Sequence, residues 1–111
     1  MGYQFNNRED LDTAIDLWID NELAARSTYG DINNWDVSRI TNFSSLFYRK
    51  GTFNSDISKW DVSSGTDFES MFYSASNFNQ DIGEWDVSSG TDFSWMISST
   101  LSMKFNQDIS D

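Results

Sequence analysis

The first apolar residues of the chain follow the spacing of an α-helix. They recur at intervals of three and four residues, which places them on one face, at Leu11, Ala14, Ile15, Trp18 and Ile19. Asn7 stands before them as an N-cap, and Asp10 falls at the third helical position, where a carboxylate complements the helix dipole. The pattern predicts an N-terminal capping helix within residues 1–28, whose apolar face covers the beginning of the remaining chain.

Beyond residue 28 the pattern repeats every 25 residues, with a two-residue insertion in the last full unit. Units of this length bury their apolar faces against copies of themselves, so they indicate an array. We expect one folded domain with repeats over 29–111, in units 29–52, 53–77, 78–104 and a partial 105–111. The predicted repeat core is formed by the recurring tryptophans, phenylalanines and isoleucines: Trp35, Trp60, Trp85, Phe43, Phe68, Phe93, Ile57 and Ile82.

Each unit combines two hydrophobic periods. In the second unit Trp60 and Val62 alternate with Asp61, which is typical of a short strand with one buried face. Thr66, followed three residues later by Glu69, resembles a capping box, and helical spacing follows it at Phe68, Met71, Phe72 and Ala75. The predicted fold class is an α/β repeat solenoid, in which a capping helix precedes three and a half strand-plus-short-helix repeats.

Two glycines interrupt the apolar pattern of the repeats. Gly65 and Gly90 occupy the position before the repeat threonine that Ile40 fills in the first unit. Because an apolar side chain there would act as a hydrophobic staple, its loss predicts a looser entry into the second and third helices.

The composition narrows the function classes. Seven basic residues stand against eighteen acidic ones, a net charge of −11, which disfavours nucleic acid and suits a divalent cation or a basic partner. The chain has no Cys and no His, so thiolate sites and histidine general bases are excluded. No apolar run approaches the roughly 20 residues of a membrane span, and MGYQFNN lacks the basic and apolar segments of a signal peptide, so we expect none in these residues. We expect no nucleic-acid binding and no membrane insertion.

The repeat sequences resemble the BspA-like leucine-rich-repeat surface-protein family. The resemblance rests on FNSDISKWDVSSGTDFESMF at 53–72 and FNQDIGEWDVSSGTDF at 78–93, which match a consensus of the form FNQDISxWDVSNVTDMSxMF. It implies a leucine-rich-repeat-like solenoid, an extracellular or cell- or particle-surface location, and a role in adhesion or protein contact. It implies no particular partner.

Aspartates recur in two columns of the repeats. If units stack as neighbouring strands do, equivalent carboxylates lie about 4.8 Å apart and repel one another. Three arrangements relieve the repulsion: each carboxylate accepts backbone N–H groups in its own Asx turn, calcium bridges successive units, or the carboxylates have shifted pKa values or salt bridges with no ligand. The residues concerned are Asp31, Asp56, Asp81, Asp36, Asp61 and Asp86, with Asp108 in the partial unit.

Other recurring polar positions offer candidate contacts. Trp95 replaces Ser45 and Ser70 of the earlier units, which points to an exposed contact anchor or to local packing. Asn54, Asn79 and Asn106 suggest a ladder of side chains that satisfies loop backbone groups. The basic residues in the middle of the chain are interpreted as solubilising charge: Arg39, Arg49, Lys50 and Lys59.

These patterns favour a non-enzymatic binding or scaffold module that contacts a protein or a glycan. The alternative is a calcium-stabilised structural spacer that uses the aspartate columns, and a remote alternative is an acidic-pair glycoside hydrolase. We expect no cofactor, with calcium as the open exception. The fragment FNQDISD that ends the chain shows no cap. We therefore expect either a continuing array or a minimal lid, with homo-association through that end as a further expectation.

Overall fold

The computed structural model describes residues 2–97. Two α-helices come first, α1 over Arg8–Asp20 and α2 over Glu22–Tyr29, and a single 3₁₀ turn comes next over Ile32–Asn34. We call Arg8–Tyr29 the helical segment. Residues 31–97, which we call the turn stack, consist of successive tight turns joined by isolated parallel bridges. The end of the third predicted unit and the partial unit 105–111 lie outside the described residues.

Helix α1 begins as the sequence predicts. Asn7 is its N-cap, and the Asn7 side chain accepts a hydrogen bond of 2.8 Å from the backbone N–H of Asp10. The predicted apolar face is buried at Leu11, Ala14, Ile15 and Trp18, and Ile19 is partly buried. The Trp18 ring meets Trp35 edge to face at 5.8 Å between centroids, so α1 packs on the first turns of the stack.

The predicted capping helix is broken in two at Asn21. This residue leaves helical geometry, with φ −154° and ψ 85°, and its side chain accepts a hydrogen bond from the N–H of Ala24. Asparagine competes with the helix for backbone groups in this way, which is why it favours caps over helix interiors. Asn21 thus ends α1 and starts α2, and α2 ends at Gly30 with a φ of 77°.

The prediction of an α/β repeat solenoid is wrong, and so is the leucine-rich-repeat-like solenoid that the resemblance implied. Within residues 2–97 there is no β-strand and no sheet. The alternation at Trp60, Asp61 and Val62 is real in burial, but tight turns flank it on both sides. Trp60 N–H donates to the Ile57 carbonyl, and Gly65 N–H donates to the Val62 carbonyl. Alternation over three residues between two turns is too short to form a strand.

The predicted short helices of the repeats are wrong as well. Met71 N–H donates three residues back to the Phe68 carbonyl, and no helix continues from that turn. Ser70 and Ser74 are left-handed, with φ 56° and φ 58°, which a right-handed helix does not contain. The supposed capping box is absent too, because the Glu69 N–H donates to the Asp67 side chain. A tight turn puts residues i and i+3 on the same side, so it imitates helical spacing.

Successive units are joined by backbone hydrogen bonds at alternate residues. The N–H groups of Phe43, Ser45 and Phe47 donate to carbonyls of the second unit at 2.8–2.9 Å. The N–H groups of Phe68, Ser70 and Phe72 donate to the third unit in the same way, at 2.8–2.9 Å. Residues between them close turns within their own unit, so each unit satisfies its backbone partly alone and partly through its neighbour.

Stacked aromatic rings fill the interior. Phe43, Phe68 and Phe93 form one column, with centroids 5.5 and 5.3 Å apart and rings almost parallel. Phe93 is partly buried, and the other predicted core residues, tryptophans and isoleucines included, are buried. The indole N–H groups of Trp60 and Trp85 donate to backbone carbonyls of the preceding unit, at 2.7 and 3.1 Å. Each tryptophan therefore binds its unit to the one before it.

The two glycines lie against the phenylalanine column, and the helices whose entry they were expected to loosen are absent from residues 2–97. A Cβ on Gly65 would lie 2.5 Å from Phe68 Cζ, and one on Gly90 would lie 2.3 Å from Phe93 Cζ. The glycines therefore make room for the phenylalanine column. The first unit has Ile40 at the equivalent position, and its side chain is buried.

Candidate functional site

The two predicted aspartate columns form Asx turns. In the first column, the side chains of Asp31, Asp56 and Asp81 each accept the backbone N–H two residues on, at 2.9–3.1 Å. In the second, those of Asp36, Asp61 and Asp86 also accept the hydroxyl of that residue, a serine, at 2.6 Å. Of the arrangements that the sequence left open, the turn geometry is present.

A third column of the same kind was missed by sequence reasoning. Asn42, Asp67 and Asp92 occupy equivalent positions, and each side chain accepts an N–H two residues on at 2.9–3.0 Å. The regular spacing of 25 residues would have revealed it, because Asn and Asp both favour such turns. Asn42 shows that an uncharged amide serves this turn as well as a carboxylate does.

Serine hydrogen bonds lower the pKa of several of these aspartates. The hydroxyl of Ser38 is the main cause of the lowered pKa of Asp36, and those of Ser88 and Ser94 lower the pKa of Asp86 and Asp92 in the same way. For Asp56, the backbone N–H of Ser58 is the largest cause of the lowered pKa. Each donor favours the ionised form of the carboxylate that accepts its hydrogen bond.

The six aspartates proposed for calcium are not brought together as ligands within residues 2–97. The acidic group whose oxygens do converge there is a different one, Asp67, Glu69 and Asp92, with ligand atoms within 4.8 Å of one another. One oxygen of Asp67 and one of Asp92 already accept turn hydrogen bonds. Calcium binding through the six predicted aspartates stays a prediction.

An aromatic groove lies on the outer surface of the turn stack. It is lined by Tyr48, Arg49, Ser70, Tyr73 and Trp95, and its volume is about 260 Å³. Tyr48 and Tyr73 stack at 5.6 Å, and Tyr73 meets Trp95 edge to face at 5.9 Å. Trp95 is 67% exposed and Tyr48 is 41% exposed. We call this feature the aromatic groove.

The structure places the predicted contact residues on one column of the stack. Trp95 and Ser70 line the aromatic groove, and Ser45 is the exposed equivalent residue one unit before Ser70 and two units before Trp95. All three are left-handed, with φ values of 56–58°. A bulky side chain with positive φ is unusual and costs roughly 1–2 kcal/mol relative to the right-handed region. The chain keeps a tryptophan at a position where the other units have serine.

Tyr48 and Tyr73 were missed as candidate site residues. Their spacing of 25 residues is visible in the sequence, but the neighbouring Phe47 and Phe72 drew both segments into a predicted helix. In a helix, residues next to a buried pair can be buried or exposed. In the observed turns they point outward beside Trp95.

The basic residues do not form one cluster. Lys50 pairs with Asp16 at 3.1 Å, and Arg39 donates to the side chain of Asn6 at 3.2 Å. Lys59 donates from its backbone to Asn33. Arg49 instead lies over the Tyr48 ring, with its guanidinium carbon 5.5 Å from the ring centroid. Arg49 therefore belongs to the groove. The sequence had been interpreted as giving it only a solubilising role.

The asparagine ladder is present between the described units. The Asn54 side-chain carbonyl accepts the N–H of Asn79 at 2.8 Å and the Gln80 side-chain amide at 3.0 Å. Asn54 and Asn79 are exposed, so the ladder joins units at the surface and not in the interior. Asn106 and Asp108 lie outside the described residues.

A family model described as "Mycoplasma protein of unknown function, DUF285" matches residues 21–111. No curated protein and no solved structure matches the chain. The match covers most of the chain, including all of the turn stack. Neither helix in residues 2–97 has the length and apolar character needed to cross a membrane.

Proposed function

Since the chain belongs to the family described as Mycoplasma protein of unknown function, DUF285, we propose a function from its own surface: a non-enzymatic binding module that makes protein–protein contacts. The family description names no activity, so the proposal rests on the molecule's geometry. The alternative partner is a glycan, and the binding experiment below distinguishes it from a protein.

The observation that carries the proposal is the aromatic groove. Tryptophan, tyrosine and arginine dominate the binding energy of protein interfaces, because they bury large areas and keep polar groups for hydrogen bonds. Trp95, Tyr48, Tyr73 and Arg49 bring these residue types together on one surface. The tyrosine rings support each other by stacking, so little conformational entropy is lost when a partner covers them.

The backbone at Trp95 also supports a contact role. A serine meets the requirements of this position in two units, and the tryptophan there is exposed, so core packing gives no reason for it. The stack tolerates the cost of a left-handed tryptophan while most of its surface stays in solvent. A side chain kept in this way is available to a partner.

The acidic residues support a non-enzymatic role. A carboxylic general acid needs an apolar setting that raises its pKa. No charged or polar residue among residues 2–97 is buried, and every resolved shift of an aspartate pKa is downward. These carboxylates stabilise turns. The remote hydrolase alternative has no supporting observation.

A second part of the proposal concerns where the protein is located. The repeat sequences at 53–72 and 78–93 resemble BspA-like surface repeats, to which the matched family is related. We place the module outside the cell or on a particle surface on that resemblance. Exposed acidic charge and an aromatic contact patch fit such a setting.

Selection of peptides from a phage-displayed random library on the full chain tests the binding role. We expect enriched peptides to lose at least tenfold in affinity for Trp95→Ser, which restores the residue of the earlier units and keeps the turn. Leu23→Ser is the matched control, because Leu23 is 81% exposed on α2, outside the groove. Affinities are measured by fluorescence anisotropy of labelled synthetic peptides.

Two results would overturn the proposal. Peptides that bind Trp95→Ser as tightly as the parent would remove the groove as the contact surface. Failure to enrich any peptide, together with Trp95-dependent binding on a glycan array, would replace the protein partner with a sugar.

The calcium-stabilised spacer is tested separately by thermal melting in EDTA and across a calcium titration. Binding at 100 times the dissociation constant would raise the unfolding free energy by about 2.7 kcal/mol. A saturable rise with calcium and not with magnesium would establish the spacer. An unchanged melt would leave the aspartates as turn residues alone.

A further inference from the structure

A group of carboxylates lies on residues close in the chain to those that line the aromatic groove. Ser70 lines the groove, and Glu69 precedes it in the chain, so their Cα atoms are about 3.8 Å apart. Glu69 shares its oxygen cluster with Asp67 and Asp92, and a parallel bridge joins the latter two. The Ser70 N–H donates to the Ser94 carbonyl, which comes immediately before Trp95. Carboxylates and aromatic rings therefore lie on neighbouring residues of the same two units.

No cation of the described chain neutralises this carboxylate group. The ion pairs within residues 2–97 join Arg8 to Asp12, Arg26 to Glu22 and Lys50 to Asp16, and none involves Asp67, Glu69 or Asp92. Arg49, the groove's own cation, lies over Tyr48 at the end opposite Trp95. Three like charges within 4.8 Å of one another repel, so a positive group beside them is favoured.

The molecule already shows how a cation docks on its aromatic rings. The Arg26 guanidinium lies over the Trp18 ring at 4.7 Å, and the Arg49 guanidinium lies over Tyr48 at 5.5 Å. Both distances fall within the range of cation–π attraction. Trp95, the most exposed tryptophan of the described chain, offers a third such surface in the groove.

We infer that the aromatic groove binds a basic protein segment, which places an arginine or lysine side chain against Trp95 and Tyr73 with its charge facing Asp67, Glu69 and Asp92. The inference rests on the proposed function and names the chemical class of its partner. The chain's net charge of −11 steers a basic partner toward this surface. The aromatic rings then decide where the cation settles.

Short peptides with matched shapes test the charge requirement. The probes are acetyl-Gly-Arg-Phe-Arg-Gly-amide and its analogue with citrulline in place of both arginines, which keeps the shape and removes the charge. The readout is the indole N–H signal of Trp95 in a proton–nitrogen correlation spectrum of the full chain, assigned from its absence in Trp95→Ser. We expect the arginine peptide to move this signal at lower concentration than the citrulline peptide.

A pair of double variants separates local from overall charge. Glu69→Gln with Asp92→Asn removes two charges from the group, and Asn42 shows that an amide keeps the Asx turn. Glu84→Gln with Asp86→Asn removes the same charge from exposed residues outside the group, again with the turn retained. We expect the first pair to raise the dissociation constant for the arginine peptide about three- to tenfold, and the second to leave it nearly unchanged.

Each remaining outcome overturns the inference in a distinguishable way. Equal binding of the arginine and citrulline peptides at Trp95 would leave the binding role standing and remove the cation. Equal weakening by both double variants would assign the effect to overall charge. No movement of the Trp95 signal with either peptide would reject a basic partner here, while the phage selection decides the binding role independently. Displacement of the arginine peptide by calcium alone would assign the carboxylates to a metal ion.

Discussion

The helical segment and the turn stack satisfy their backbones in different ways. In α1 and α2 the hydrogen bonds run within one helix, and side chains of Asn7 and Asn21 are needed only at the ends. In the turn stack, backbone bonds spanning three residues and Asx side chains close the turns within each unit, and other N–H groups donate to a neighbouring unit. The helical segment is therefore held by local bonds and one packed face. In the turn stack, each unit depends on the next one for part of its backbone hydrogen bonding.

This difference shows what hydrophobic spacing can and cannot establish. Intervals of three and four residues occur both in α1 and in the segment from Phe68 to Ala75, yet only the first is a helix. The repeat segment carries serines at left-handed positions and an Asx residue before each turn. Those polar residues decide between the two structures, because they determine where the backbone groups find partners.

The largest expected effect comes from breaking the stack at its core. Trp60→Ala removes a buried ring and the hydrogen bond from its indole to the Ile32 carbonyl, so we expect a loss of about 3–5 kcal/mol in unfolding free energy. Urea denaturation of the full chain measures it. The matched control is Trp95→Ser, since Trp95 is exposed and serves no core contact of this kind. Equal stabilities of the two variants would contradict the assignment of inside and outside.

The next effect tests whether glycine is required by the phenylalanine column. Gly65→Ala places a methyl group 2.5 Å from Phe68 and 2.8 Å from Phe43, so we expect a loss of about 1–3 kcal/mol from overpacking. Gly51→Ala is the control, because its Cβ would meet only the Ser76 hydroxyl at 3.3 Å. Denaturation midpoints compare the two. A Gly65→Ala protein as stable as Gly51→Ala would show that the column yields easily.

A third change breaks the helical segment at its own capping residue. Asn21→Ala removes the acceptor for the Ala24 N–H, and loss of an N-cap costs about 1 kcal/mol. We expect the signal of α2 to weaken in far-ultraviolet circular dichroism while the tryptophan fluorescence of the stack is kept. Asn21→Asp, which preserves the acceptor, is the control. Simultaneous loss of both signals would mean that helices and stack unfold as one unit.

The smallest expected effect is a pH dependence that belongs to the stack. Asp36, Asp56, Asp86 and Asp92 have a pKa below the ordinary value, so the folded state binds fewer protons than the unfolded state at acid pH. Their contribution is complete above about pH 4, the pKa of an unfolded aspartate, and it is lost as the pH falls through the lower folded values. Melting temperatures should therefore be level near neutrality and fall below about pH 4.

The control for this pH dependence replaces all four aspartates by asparagine. Amides keep accepting turn hydrogen bonds at acid pH, so the acid limb of the profile should become shallower. An unchanged acid limb would show that other carboxylates cause the loss.

Particular residues show how far sequence reasoning reached. The Asn7 cap and the face of α1 could be predicted from residue spacing, because both are local properties of a helix. The 25-residue period identified the buried tryptophans and the column of Trp95, since equivalent residues do stack. The predictions of strands and short helices were wrong because tight turns produce the same hydrophobic spacing as those elements. Tyr48 and Tyr73 were missed because their outward direction depends on the turn geometry.

Ser45, Ser70 and Trp95 share a left-handed backbone position. At this position the side chain forms part of the outer surface, while the backbone joins one unit to the next. At Ser45 and Ser70 the backbone carries the hydrogen bonds to the neighbouring unit, and the side chain takes no part in them. Substitution there changes the outer surface at regular intervals while the junctions between units stay the same. A chain built in this way can diversify its contacts by drift at one residue per unit, and gain or lose whole units without redesigning any junction.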